Sequence, residues 1–239
     1  MWTVMNRSEL KRLAGIQGSL CYSDVVGLRD PDHDWSKENR SAEGHRIEKE
    51  VRRWFEEETE PEGLWEIRLA EMAKGKHRYI GILDMGLSLT ATPDFVFVSR
   101  DDKGLVRRVN FLDVKARENP FFTDKIQGLF CLKVGELDTD INHNNGASFM
   151  GALFGDNGSP NVRFFDYYYA SGTVREVVLD GRHDVFTAMC LAAAALMTMD
   201  RVLREGLDVE ITDANNAIEL RREFIDCFDR LAPNNLKKF

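Results

Sequence analysis

Two β-like segments separated by a short turn constrain the fold of this 239-residue chain more than any other feature. The segments DFVFVS at 94–99 and RRVNFLDVKA at 107–116 are rich in β-branched and aromatic residues, and DDKG at 101–104 supplies the glycine of a tight turn. A connection this short makes the two strands pair antiparallel. Residues whose numbers sum to about 205 to 207 then face each other. We therefore expect Asp94 to lie opposite residues 111–113.

This predicted hairpin gathers three chemically active side chains. Asp113 and Lys115 are two residues apart on one strand and point to the same face, while Asp94 stands at the entrance of the partner strand. Two carboxylates among apolar neighbours repel each other and lose hydration, and a bound cation offsets that cost. Mg²⁺ and Mn²⁺ prefer such oxygen ligands. The pattern predicts a divalent-metal site. The alternative is structural, with Asp94 capping a turn and Asp113 and Lys115 forming a surface ion pair.

A helix upstream of the hairpin offers a third carboxylate. Apolar residues recur at helical spacing from Gly44 to about Glu58 and predict an amphipathic helix whose apolar face covers the sheet. Glu48 lies at the edge of that face, from which it can reach the Asp pair. Glu50 is its rival for this role.

The remaining segments favour an α/β fold of the α+β type, with a mixed sheet flanked by helices. A helix is predicted over 6–20, a polar loop over 22–43, and further strands over 64–70 and 78–84. After the hairpin come a helix over about 122–134, a polar loop over 135–161, a strand pair at 162–170 and 173–180, and two helices between 183 and about 231.

We divide the chain into three parts on this basis. Residues 1–43 form an N-terminal helix and loop, residues 44–180 form the core, and residues 181–239 form a C-terminal helical extension packed on that core. Hydrophobic residues make up 43% and charged residues 30% of the chain, which is typical of a folded globular protein. The longest apolar run, 185–199, is shorter than the roughly 18 residues of a membrane span. The first residues lack a secretory apolar region, so a cytoplasmic protein without membrane contact is expected.

Net charge and cysteine spacing limit the kinds of ligand that this chain is expected to bind. The net charge of −8 argues against a protein that coats nucleic acid over its whole surface, but a local basic groove remains compatible with it. The four cysteines lie far apart, at Cys21, Cys131, Cys190 and Cys227. They have neither zinc-ligand spacing nor the clustering of an iron–sulfur site, so we expect no zinc and no iron–sulfur cluster.

Taken together, the motifs resemble the PD-(D/E)xK nuclease superfamily. TPDFVFV followed about a dozen residues later by FLDVKA is similar to the pattern that names the superfamily, and Gly44-x-x-x-Glu48 resembles its helix glutamate motif. Gln127 in DKIQGLF resembles the glutamine of the RecB-like and lambda-exonuclease-like branches. The resemblance covers roughly residues 44–134. RecB-like members usually carry a tyrosine four residues after this glutamine, where the present chain has Cys131, and the histidine they carry upstream is absent because position 48 is Glu.

The resemblance implies a restriction-endonuclease-like αβββαβ core, continuing through 162–170, and a Mg²⁺-dependent (or Mn²⁺-dependent) deoxyribonuclease that hydrolyses phosphodiester bonds with metal-activated water. Its implied metal ligands are Glu48, Asp94, Asp113 and the carbonyl of Val114. Lys115 would be the catalytic lysine. Gln127 would be an accessory residue near the metal or the phosphate.

DNA is the partner that follows from this resemblance, and three basic residues near the site are candidate phosphate contacts: Arg117, Lys125 and Lys133. An exonuclease-like role in phage replication, recombination or defence is the first expectation. The alternatives are a sequence- or structure-specific endonuclease and a partner-dependent nuclease or DNA-binding subunit of a larger complex. RNA stays open as a substrate. The C-terminal helices could form a homo-oligomer interface or dock a protein partner.

Overall fold

The computed structural model describes residues 7–35, 41–57, 70–72, 78–84, 86–100, 102–104, 106–115, 122–137, 147–153, 163–165, 185–206 and 214–231. The helices in these ranges are α1 (Arg7–Gln17), α2 (Tyr22–Arg29), α3 (Ser41–Glu57), α4 (Phe122–Leu137), α5 (Val185–Glu205) and α6 (Ala214–Leu231). The strands are β1 (Ser19–Leu20), β2 (Ala70–Met72), β3 (Tyr79–Asp84), β4 (Leu87–Ala91), β5 (Phe95–Arg100), β6 (Val106–Lys115), β7 (Ala147–Leu153) and β8 (Arg163–Phe165). The class is mixed α and β, as the sequence predicts.

A five-stranded mixed sheet in the order β2-β5-β6-β7-β8 carries the predicted hairpin. β5 and β6 pair antiparallel, with Phe95 opposite Leu112, which is the upper end of the predicted register. Gly104 has a φ of 77° in the turn between them, a conformation that favours glycine. The predicted hairpin and its turn are therefore confirmed.

A helical crossover links the two central strands of this sheet. β6 and β7 pair in parallel, from Val109 opposite Ala147 to Lys115 opposite Leu153. Parallel neighbours need a long connection, and α4 lies within it. α4 packs against β7 and also against β3 and β4. The first turns of α4 lie next to the end of β6 that carries Asp113 and Lys115.

A second, three-stranded sheet in the order β1-β4-β3 joins the N-terminal segment to the core. β1 pairs in parallel with β4 through Ser19 opposite Ser88 and Leu20 opposite Leu89. The Ser88 backbone N–H donates to the carbonyl oxygen of Gly18 at 3.0 Å. Gly18, with a φ of 78°, makes the sharp turn from α1 into β1.

The helical side of the molecule is built around α5. Twelve of its residues are buried, and it packs against α1 and α6. Phe186 of α5 also meets Phe130 of α4 edge to face, with ring centroids 5.2 Å apart. Within the described ranges α5 is the one helix with the length and composition of a membrane span, but 67% of its most apolar stretch is buried inside the protein. The helix is longer than the apolar run 185–199 noted in the sequence, and most of that run is buried.

Two predicted loops are corrected. The segment 22–43 contains α2, whose first residue follows Cys21, and the Asp24 carboxylate accepts the Cys21 backbone N–H at 2.8 Å. The segment 135–161 contains the end of α4 and the whole of β7. β7 is paired on both edges, with β6 and β8, and its Asn- and Gly-rich surroundings hide it in the sequence.

Most of the other predicted helices and strands are confirmed, and some lie outside the described residues. The helices over 6–20, 44–58 and 122–134 appear as α1, α3 and α4, and the two C-terminal helices appear as α5 and α6. Only 163–165 of the predicted strand 162–170 is described, as β8, and it pairs with β7. Most of the predicted strand 64–70 and all of 173–180 lie outside the described residues. β1 and β4 were not predicted.

Candidate active site

Asp94 and Asp113 meet where β5 begins and β6 ends. Asp94 Oδ2 accepts the backbone N–H of Val114 at 2.8 Å, which ties the start of one strand to the end of the other. The Asp113 side chain is 3% exposed. The predicted neighbourhood of the two carboxylates is therefore present in the structure.

Lys115 stands among three acceptors contributed by β6 and α4. Its Nζ forms an ion pair with Asp113 Oδ2, donates to Gln127 Oε1 at 2.8 Å, and lies 3.6 Å from Asp124 Oδ1. An ammonium group has three hydrogens to donate, so these acceptors match its capacity. The surroundings hold Lys115 as a charged donor.

Asp124 is the site residue that sequence reasoning missed. It lies in the first turn of α4, is 2% exposed, and is three residues before Gln127. Residues i and i+3 share a helix face, so one face of α4 presents a carboxylate and an amide to the same lysine. The spacing D-x-x-Q in DKIQ was the available signal.

Burial and an excess of carboxylates shift the acidity of the buried pair. The pKa of Asp113 is raised to about 7, chiefly by burial and in addition by Asp94 and Asp124, while Lys115 opposes the shift. Burial alone lowers the pKa of Lys115, but Asp113, Asp124 and Tyr22 outweigh burial and raise it. The charge balance also favours a proton on Asp113, because Asp94 and Asp124 add two further carboxylates around it.

The carboxylate oxygens of the site are the type of ligand that a divalent metal ion such as Mg²⁺ prefers. Asp113 Oδ2 is buried beside the Lys115 ammonium, and the described residues offer it no well-directed hydrogen bond. Mg²⁺ is commonly held by one or two carboxylates, with water and substrate phosphate completing its shell, so Asp94 and Asp113 suffice as protein ligands. No group of three His, Cys, Asp or Glu side chains arranged for a metal ion occurs among the described residues. A three-carboxylate cage stays a prediction.

Glu48, the predicted third ligand, lies on α3 with its side chain half-buried. α3 packs against β6, and Arg52 of α3 lies over the ring of Phe95, 5.1 Å from its centroid. Glu48 is four residues before Arg52, so the two share a helix face. That face is directed at Phe95, the residue next to Asp94, and the role of Glu48 as a third metal ligand stays a prediction.

The three basic residues predicted to contact phosphate differ in their exposure to solvent. Lys125 is half-buried in the first turn of α4, and burial lowers its pKa. Lys133 is only 4% exposed, because the middle of α4 faces the core, and this placement removes it from the surface contacts predicted for it. Arg117 lies outside the described residues.

A cleft of about 360 Å³ shares Gln127 with the site. Its wall includes Cys21 and Tyr22 from the N-terminal segment and Cys131 from α4. Burial raises the pKa of the Cys131 thiol well above its ordinary value, so this cysteine is an inert part of the wall. Tyr22 was missed because the sequence predicted a loop there.

Comparisons with protein-family models, with curated proteins and with solved structures each find no match to this chain. The function has to be inferred from the arrangement of its own residues.

Proposed function

We propose that this protein is a Mg²⁺-dependent deoxyribonuclease of the PD-(D/E)xK type. The observation that carries the proposal is the contact of Lys115 Nζ with both Asp113 and Gln127. The three residues belong to a strand and a helix that are separate in sequence. Asp94 is joined to the group through Val114.

The order of elements supports the same fold family. α3 packs against β6, the β5–β6 hairpin carries the two aspartates, and α4 crosses to β7 parallel to β6. This order of helix, antiparallel strands, helix and parallel strand is the one that an αβββαβ nuclease core requires. We include the nuclease-type core in the proposal.

The chain's own residues have distinct tasks in this proposal. Asp94 and Asp113, with Glu48 as a third candidate, would hold Mg²⁺ or Mn²⁺. The ion would supply charge neutralisation at the phosphate and a more acidic water. Lys115 acts as a cation that donates to a phosphate oxygen as negative charge develops there. Gln127 and Asp124 hold the ammonium in place, and Lys115 must exchange one of these acceptors for the phosphate.

Cleavage assays with matched variants test the proposal. Purified protein is incubated with supercoiled plasmid, linear duplex and 5′-labelled single strands of DNA and RNA, in Mg²⁺, Mn²⁺ or EDTA. Asp113→Asn and Lys115→Met preserve side-chain size and remove charge, and we expect each to lower the rate at least about 100-fold. Asp102→Asn and Lys103→Met make the same changes at exposed residues of the β5–β6 turn and should cleave like the wild type.

The outcomes are separable. Metal-dependent cleavage that survives in folded Asp113→Asn protein would contradict the proposal, and so would no cleavage of any substrate by folded wild-type protein. Cleavage of linear but not circular DNA identifies an exonuclease, and linearisation of the plasmid identifies an endonuclease. Activity that appears only with an added protein identifies a partner-dependent subunit. A cytoplasmic location and a homo-oligomeric state stay predictions.

A further inference from the structure

The cleft beside Gln127 has the size and lining of a site for a single nucleotide. At about 360 Å³ it is at the small end of the roughly 300–1,000 Å³ range of ligand pockets, so it admits one base with its sugar and phosphate and excludes a duplex. None of the nine described residues that line it is acidic. An anionic ligand therefore meets no carboxylate among these described residues.

The open side of the cleft offers groups that suit a phosphate. Tyr79 pairs with Ala91, so continuing the β3–β4 register by one residue places Arg78 across from Thr92. Both are exposed and both line the cleft, with the hydroxyl of Thr90 deeper in the same wall. One guanidinium with neighbouring hydroxyls matches a single phosphate group.

The inner side of the cleft offers groups that suit a base. Tyr22, which is half-buried, contributes aromatic surface against which a base can stack, and the buried Phe130 forms part of the same wall. Gln127 uses its Oε1 atom to accept from Lys115, so the Nε2 end of the amide is the part that can donate to a ligand in the cleft. A base edge rich in acceptors fits this donor.

We propose that this cleft binds one deoxynucleotide of the substrate strand, the one next to the phosphate being cut, with Arg78 meeting a phosphate and Tyr22 and Gln127 meeting the base. Gln127 is shared by the two sites, since it contacts Lys115 and also lines the cleft. The inference rests on the proposed nuclease function and deepens it. It predicts that the free mononucleotide binds and competes with DNA.

Equilibrium dialysis of the full chain with labelled 5′-dAMP and 3′-dAMP, in EDTA to prevent cleavage, tests this inference. We expect the wild type to bind at least one of the two, and Arg78→Ala to bind it at least about 10-fold more weakly because a charged hydrogen bond is lost. Arg78→Lys should retain part of the affinity. Lys103→Ala removes an exposed cation in the β5–β6 turn and should bind like the wild type.

Deoxyadenosine and inorganic phosphate serve as partial ligands, and each should bind at least about 10-fold more weakly than the nucleotide. Three results would overturn the inference: no nucleotide binding, equal binding by Arg78→Ala and Lys103→Ala, or phosphate binding as tight as nucleotide binding. Because dialysis needs no catalysis, nucleotide binding without DNA cleavage would contradict the nuclease proposal alone. Cleavage without nucleotide binding would contradict this inference alone.

Discussion

Asp113 illustrates how a single buried residue sets the electrostatics of the site. Asp113 is buried beside the ammonium of Lys115, and two further carboxylates, Asp94 and Asp124, act on it. The group therefore carries more negative than positive charge. A proton on Asp113 relieves this excess in the absence of a metal ion, and a divalent cation would relieve it more completely.

This excess predicts how stability changes with pH. The pKa of Asp113 is raised from 3.8 to about 7, so its contribution to stability is complete below pH 3.8 and is lost as pH rises through about 7. The pKa of Lys115 is also raised, so the contribution of this lysine is lost only at pH values above those of the experiment. Asp113→Asn cannot titrate. We expect the wild type to lose stability relative to this variant between pH 4 and 8, by on the order of 4 kcal/mol at most.

Urea unfolding of both proteins without metal measures this difference at each pH. Asp102→Asn, in the exposed turn, should differ from the wild type by the same amount throughout the range. A wild-type stability that rises relative to Asp113→Asn between pH 4 and 8 would contradict the raised pKa.

β3 and α4 lie very close together at Gly81. A Cβ atom on Gly81 of β3 would lie 2.7 Å from Cβ of Leu137 and 3.3 Å from Cα of Val134 in α4. Neither atom is the end of a flexible side chain. The helix that carries Gln127 and Asp124 therefore packs directly on the backbone of β3, and a side chain at position 81 would force one of the two elements to shift.

Gly81→Ala should consequently destabilise the protein by about 1–3 kcal/mol, because α4 or β3 must shift. Gly27→Ala in α2 is the matched control, since a Cβ atom there would meet nothing within 4 Å, and alanine is favoured in helices by up to about 1 kcal/mol. Thermal unfolding of the two variants measures both effects. Equal melting temperatures would show that β3 and α4 do not meet this closely.

Elements with strong local patterns could be predicted from the sequence, and those defined by their neighbours could not. The β5–β6 hairpin follows from two β-rich runs and a glycine turn, and α3 follows from its apolar periodicity. β4 is short and ends in LTA, and it is strand only because β1 and β3 flank it. α2 is weakly amphipathic and depends on its cap at Cys21.

The site divides in the same way. Asp94, Asp113 and Lys115 could be predicted because one hairpin fixes their spacing, and Gln127 was an expectation from the family resemblance. Tyr22 reaches the cleft through the fold of the N-terminal segment, and no local pattern of the sequence encodes that long-range packing.

At the scale of the whole molecule, the N-terminal helices α1 and α2 contact the C-terminal helices α5 and α6. Thr198 Oγ of α5 donates to the backbone carbonyl of Leu13 in α1 at 2.7 Å, in the interior. Arg29 forms a two-pronged ion pair with Asp229 of α6, with N–O distances of 3.1 and 3.4 Å. The N-terminal segment is thereby built into the helical side of the fold, and it also carries Tyr22 to the cleft.

Two neighbouring residues of α1 test whether this segment folds together with the rest. Leu13 is fully buried against the core and Ile16 is 38% exposed. Leu13→Ala should lower the free energy of unfolding by about 2–5 kcal/mol, because it leaves a cavity between α1 and the core. Ile16→Ala removes the same number of carbon atoms from a surface position and should cost less than about 1 kcal/mol. If α1 and α5 unfold as one unit, far-UV circular dichroism on heating will show a single transition, shifted downwards in Leu13→Ala. A small early transition with the main one unmoved would instead mean that the N-terminal segment unfolds on its own, and Tyr22 would then leave the cleft before the core melts.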